Sequence, residues 1–143
     1  MKVEGSYTFD APRDRVWSML MNPDALKSCV PGCESFTPTG ENAYEASLKV
    51  GVAAIRGTYK STIKLTDIEE PSSYKMNVEG KGGAGFVRGV AAIELVDQGD
   101  TTLLNVMGDG NVGGTVAGVG QRMLGGVAKM LMGQFFDCLK KQL

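Results

Sequence analysis

The sequence contains no histidine. That removes the commonest general base and the commonest metal ligand. A histidine-dependent catalytic triad is excluded with it. Charge of either sign shows no excess: 15 Lys and Arg stand against 16 Asp and Glu, a net charge of −1. The chain as a whole therefore offers no basic field to hold nucleic acid. No apolar run is long enough for a signal peptide or a membrane-spanning helix, so the expectation is an intracellular, cytoplasmic protein. Cysteine is scarce, at three residues. An odd count in an unexported chain argues against a disulfide framework. Cys29-Val30-Pro31-Gly32-Cys33 lacks the second ligand pair that zinc requires. It predicts a tight turn with two small thiols.

What is present is an ordinary globular balance over 143 residues, 43% hydrophobic and 22% charged, which suits one domain, residues 1–143. Glycine is abundant, with twenty residues, and there are eight methionines. Methionine supplies adaptable apolar surface. Met76, Met107, Met123, Met130 and Met132 are expected to line the core.

Val3, Gly5, Tyr7 and Phe9 alternate with polar residues, the period of a half-wet strand. Asp10 is placed to cap a helix through Val16, Trp17 and Leu20. Asn22-Pro23-Asp24 repeats the signal and opens a second short helix, which Pro31-Gly32 ends. From Cys33 onward the alternation is again of period two, around Tyr44–Val50, Tyr59–Leu65 and Tyr74–Val78. Two blurred strands follow near Phe86–Val96 and Thr101–Met107. Gly85 and Gly89 suit a bulge or a strong curl. Val52–Ile55 and Val90–Ile93 echo one another, as two strands with similar packing would.

The chain ends on a stripe, Val116, Val119, Met123, Val127, Leu131, Phe135 and Cys138, widened by a second ridge of Leu124, Ala128, Leu131 and Leu139. This predicts one amphipathic helix from Thr115 to the end, about 40 Å long. A long antiparallel sheet can bury such a helix only by curling round it. Gly108-Asp109-Gly110-Asn111-Val112-Gly113 spells the dinucleotide-binding pattern, but no parallel strand follows the helix. It predicts instead a flexible strand-to-helix corner. Arg56, Arg88 and Arg122 border glycine-rich or apolar sequence and are candidates for a polar head group, against ordinary solvated arginines. Gly118, Gly120, Gly125 and Gly126 each cost a helix about 1 kcal/mol relative to alanine. The first half of the helix is therefore expected to move, as a gate or a docking patch.

Blocks of the chain are similar to a known family. They are Gly5–Trp17, Cys29–Glu34, Gly51–Tyr59, Gly80–Gly82 with Gly85–Val87, Val112–Gly114, Gly118–Arg122 and Gln134–Phe136. In this order, over nearly the whole chain, they resemble the carbon monoxide dehydrogenase G-subunit (CoxG) family of the START-like, SRPBCC superfamily. The resemblance implies an α+β helix-grip fold. A curled antiparallel sheet of about seven strands would surround a long C-terminal helix, with two short helices after the first strand. It implies no catalysis and no covalently bound cofactor. It implies a quinone-like ligand, molybdenum hydroxylase subunits as partners, and peripheral contact with the inner face of the cell membrane. Cavity lining is expected from Tyr59, Met76, Phe86, Met123, Val127 and Leu131. Two alternatives stay open. One is a small START-like enzyme, a cyclase or hydrolase acting on an apolar substrate, which would need a buried acid–base pair. The other is an assembly factor that binds only protein.

Overall fold

The alternating segments become strands and the proline-headed segments become helices. The computed structural model describes residues 1–52 and 55–143. In chain order these form β1 (Lys2–Phe9), α1 (Arg13–Leu20), α2 (Pro23–Cys29), β2 (Cys33–Gly40), β3 (Ala43–Val50), β4 (Gly57–Glu69), β5 (Ser73–Gly82), β6 (Gly85–Asp97), β7 (Thr102–Gly113) and α3 (Gln121–Lys141). A 3₁₀ turn, Gly114–Val119, joins β7 to α3. The strands make one antiparallel sheet in the order β1-β7-β6-β5-β4-β3-β2. The expected seven-stranded helix-grip arrangement is what forms.

Local chemistry explains the ends of the short helices. Asn22 accepts a hydrogen bond from the Asp24 amide at 3.0 Å, a side-chain cap of the expected kind. Asp10 does not cap α1. Pro12 occupies that position and makes no side-chain bond. Its carbonyl accepts from the amides of Arg15 and Val16, and the proline ring presets the backbone angle the entry needs.

The main core lies where α1, α2 and the end of α3 meet the sheet. Phe9, Val16, Leu104 and Leu139 are wholly buried there, with Trp17, Tyr74 and Phe136 around them. Each such side chain contributes about 1.5–3 kcal/mol by leaving water. A second, smaller core of Tyr59, Val116 and Leu124 closes the opposite end.

Four expectations are corrected. The terminal helix does not start at Thr115. The chain first makes the 3₁₀ turn, and Gly120, with φ +95°, breaks the path before α3 begins. The glycines here hold the α-helix too weakly to extend it. At 21 residues, α3 is about 32 Å long. Second, Gly108–Gly113 lies within β7 rather than at the corner. Third, Gly85 and Gly89 mark no bulge, since β6 pairs with β7 without a register shift. A Cβ on Gly89 would meet the Asp109 carbonyl at 3.0 Å, and one on Gly110 the Arg88 carbonyl at 2.9 Å. The missing side chains let the two backbones close up. Fourth, Cys29 and Cys138 form a disulfide across a separation of 109 residues, leaving Cys33 free. The echo of Val90–Ile93 at Val52–Ile55 falls on Ala53 and Ala54, outside the described residues. Val90–Ile93 is strand, within β6.

Candidate functional site

The register sets out the concave face of the sheet row by row. One row runs Val3, Gly108, Ala91, Met76, Leu65. The next runs Gly110, Gly89, Val78, Ile63, Tyr44. A third runs Val112, Val87, Gly80, Ser61, Ala46. On strands β5, β6 and β7 this face is thus glycine, alanine and valine with one larger residue, Met76. Most of these residues are half-buried; Tyr44, Ile63, Met76 and Ala91 pack against the main core and Val112 against the second. No position in these three rows carries a charged residue.

Helix α3 roofs this floor. Its backbone closes on β1, α2 and the 3₁₀ turn rather than on the central strands β3–β6. Phe136 stacks on Tyr7, ring centroids 4.4 Å apart, and meets Phe9 edge-on at 6.2 Å. The disulfide ties the other side of the same end to α2. Toward its start, Leu124 is the one α3 residue wholly inside the second core. Between these anchors Val127, Ala128 and Leu131 are half-buried, and Met132 packs against the main core beside Gly5. The arrangement leaves an uncharged, apolar interior whose roof is pinned at its ends.

Polar groups at this interior are few and uncharged. The Tyr59 hydroxyl donates to the Ile55 carbonyl at 2.7 Å, and burial pushes its pKa up. Ser61 is buried beside Gly80, where a Cβ would stand 3.1 Å from the Ser61 Oγ. Tyr7 also titrates high, through burial and then through the nearby Asp137 carboxylate. The Cys33 thiol is raised by burial, against the lowering pull of its bond to Ser35 and of Lys27. Among the described residues no group of three or more Cys, Asp or Glu is arranged to hold a metal ion.

The six residues expected to line a cavity divide. Met76, Val127 and Leu131 are half-buried, on the floor and the roof. Tyr59 faces inward but is spent in the second core. Phe86 and Met123 do not line the interior. Phe86 sits on the outer face opposite Lys81 and is 45% exposed, because β6 turns its odd-numbered residues inward. Met123 is 55% exposed, one position off the buried stripe at Leu124. Among the methionines, Met107 and Met130 are also exposed rather than core. The arginines also point away: Arg88 pairs with Glu79 at 3.2 Å on the outer face, and Arg56 and Arg122 are exposed. A half-open hollow of about 470 Å³ on that outer face is flanked by Thr39, Glu45, Lys64, Asn77 and Arg88. The glycine and serine floor was the part that sequence reading missed. Gly80, Gly89, Gly108 and Gly110 were visible, but their shared face follows only from the register.

Comparison with known proteins places this architecture. A conserved protein from Geobacillus kaustophilus is 43% identical, with a TM-score of 0.96 over 99% of this chain and 94% of that one. A START superfamily protein from Mycobacterium smegmatis superposes with a TM-score of 0.78 at 13% identity, over 99% and 95% of the two chains. The Zhui aromatase/cyclase from Streptomyces sp. R1128 does so at 0.72 and 17%, over 99% and 92%. The latter two likenesses establish the START-like fold. No curated protein matches the sequence. Among the described residues no helix is long and apolar enough to cross a membrane. The sequence profile of one family matches residues 5–143, and the chain belongs to it: CoxG, the carbon monoxide dehydrogenase G-subunit family.

Proposed function

We propose that the protein is a non-catalytic carrier of an apolar, quinone-like ligand. It couples a molybdenum hydroxylase of the carbon monoxide dehydrogenase type to the cell membrane, working at the inner face as a peripheral protein. The observation that carries this reading is the uncharged small-residue floor beneath a roof pinned only at its ends. An apolar ring or chain gains about 25 cal/mol per Å² on leaving water for such a surface. Proton-transfer catalysis needs the opposite, titratable groups within hydrogen-bond reach of substrate. The rows of the floor offer tyrosine and serine hydroxyls but no carboxylate, amine or imidazole. Family membership supplies the hydroxylase as partner class.

The test is direct. The protein is purified from a host with quinone-containing membranes and extracted with organic solvent, and the extract is analysed by mass spectrometry. Quinone at near-stoichiometric yield is expected. An extract empty of quinone and other lipids, from protein that cannot be loaded in vitro, overturns the reading.

The enzyme alternative draws on the fold likeness to an aromatase/cyclase. It requires turnover that depends on Tyr44, Tyr59 or Ser61. Loss of no more than ligand affinity on Tyr44→Phe or Ser61→Ala speaks for the carrier.

A further inference from the structure

The charges of this near-neutral chain are sorted by end. Residues 46–66, 80–93 and 110–136 hold eight Lys and Arg and no Asp or Glu. These segments contain the connections β3–β4, β5–β6 and β7–α3, which the antiparallel topology brings to one end of the sheet. The opposite end carries Asp10, Glu41, Glu69, Glu70, Asp97 and Asp100 at its turns. Of the acids that border the basic end, Glu79 pairs with Arg88 at 3.2 Å and Asp109 with the N-terminal amine at 3.6 Å, while Glu34, at the start of β2, is exposed.

Within the basic end, Lys60 and Lys81 are direct cross-strand partners on the outer face. Like charges so placed repel, and among the described residues no carboxylate pairs with either lysine, nor with Lys49 or Arg56. Such a pair is stabilised by an outside anion. Beside it the same end exposes large apolar surface. Phe86, opposite Lys81, is 45% exposed, and Met123, at the start of α3, is 55% exposed. The turn before β6 and the 3₁₀ turn before α3 are joined, since the Val116 amide donates to the Ala84 carbonyl at 2.7 Å. Lysines beside an exposed phenylalanine suit an anionic bilayer, where lysines meet head groups and Phe enters the acyl boundary.

We propose that this basic end docks on anionic phospholipid through the outer-face patch of Lys60, Lys81 and Phe86. The inference rests on the membrane-associated reading above and gives it a face, an orientation and a lipid class. Each lysine at such a surface strengthens binding about fivefold.

Vesicle flotation tests it, using phosphatidylcholine alone and phosphatidylcholine mixed with phosphatidylglycerol. The protein should float only with the phosphatidylglycerol vesicles and be released by high salt. Lys60→Gln with Lys81→Gln should weaken binding by roughly 25-fold, while Asp97→Asn with Asp100→Asn should not weaken it. Both pairs are exposed, and matched thermal melts confirm that the variants fold. Equal binding to both vesicle types, or a lysine variant that binds unchanged, overturns the proposal. So does retention on polyglutamate with none on vesicles, which assigns the face to an acidic protein. If quinone is still extracted from protein that binds no vesicle, docking fails while the carrier reading stands. Vesicle binding without extractable ligand gives the reverse result.

Discussion

Tyr74 lies edge-on to Trp17, ring centroids 5.5 Å apart, in the main core. Burial first, and then the neighbouring Tyr44 phenol, push its pKa above the ordinary value of 10.0. The folded protein therefore keeps this proton at pH values where the unfolded chain releases it. The resulting contribution to stability is complete below about pH 10 and is lost as pH rises beyond it. Tyr74→Phe should flatten the alkaline fall in the urea midpoint, though not abolish it, because Tyr7 and Tyr59 are shifted the same way. An unchanged slope would remove Tyr74 as a cause. Leu139 is 0% exposed, so Leu139→Ala should cost about 2–5 kcal/mol. Met130 is 47% exposed, and Met130→Ala should stay within about 0.5 kcal/mol. The pair also marks what sequence could resolve. Both residues fit a helical repeat, but the stripe was wide enough to allow a face centred on Met123 and Val127. The structure centres it on Leu124, Phe136 and Leu139, a rotation that only the tertiary contacts determine.

At the scale of elements, α3 is held unequally. Its second half has Phe136, Leu139 and the disulfide to α2, while its first half has Leu124 alone in a core. A Cβ on Gly125 or Gly126 would meet nothing within 4 Å. Amides of residues 121–130 should exchange faster than those of 134–141. Comparable protection would contradict a movable first half. The disulfide spans a sequence separation of 109 residues, a loop worth about 4–5 kcal/mol in the chain-entropy account. Reductant should lower the urea midpoint, and Cys138→Ser should lower it equally while abolishing the response to reductant. Three free thiols in the native, unreduced protein would deny the bridge. Sequence reading missed this pairing because counting cysteines carries no distance. The bond depends on the last turns of α3 lying across the end of α2, a contact no local pattern encodes. The strands, by contrast, were legible because one wet face leaves its period in the sequence.

For the whole molecule, the order of strand, two helices, six strands and helix already forced a sheet curled around its last element. The interior was not legible in the same way. Its inner face is made by small residues on different strands that share a face only once the register is set. The carrier reading and the reading as a protein-only assembly factor separate at this scale. Val127 is half-buried in the first half of α3, between Leu124 in the second core and Phe136 in the main one. Val127→Trp should place an indole there. Because the position is half-buried and belongs to neither sealed core, the variant should fold with a thermal midpoint near that of the parent, short of the roughly 1–3 kcal/mol that overpacking costs in a dense core. Its quinone content on extraction should fall by about tenfold or more, since the ligand and the indole compete for one volume. Association with the hydroxylase, followed by co-elution of purified components, should persist if partner docking and ligand carriage use separate surfaces. Reduced electron transfer from the hydroxylase to membrane quinone, with association intact, is the outcome expected of a carrier. Full electron transfer in a variant emptied of ligand would leave only the assembly role.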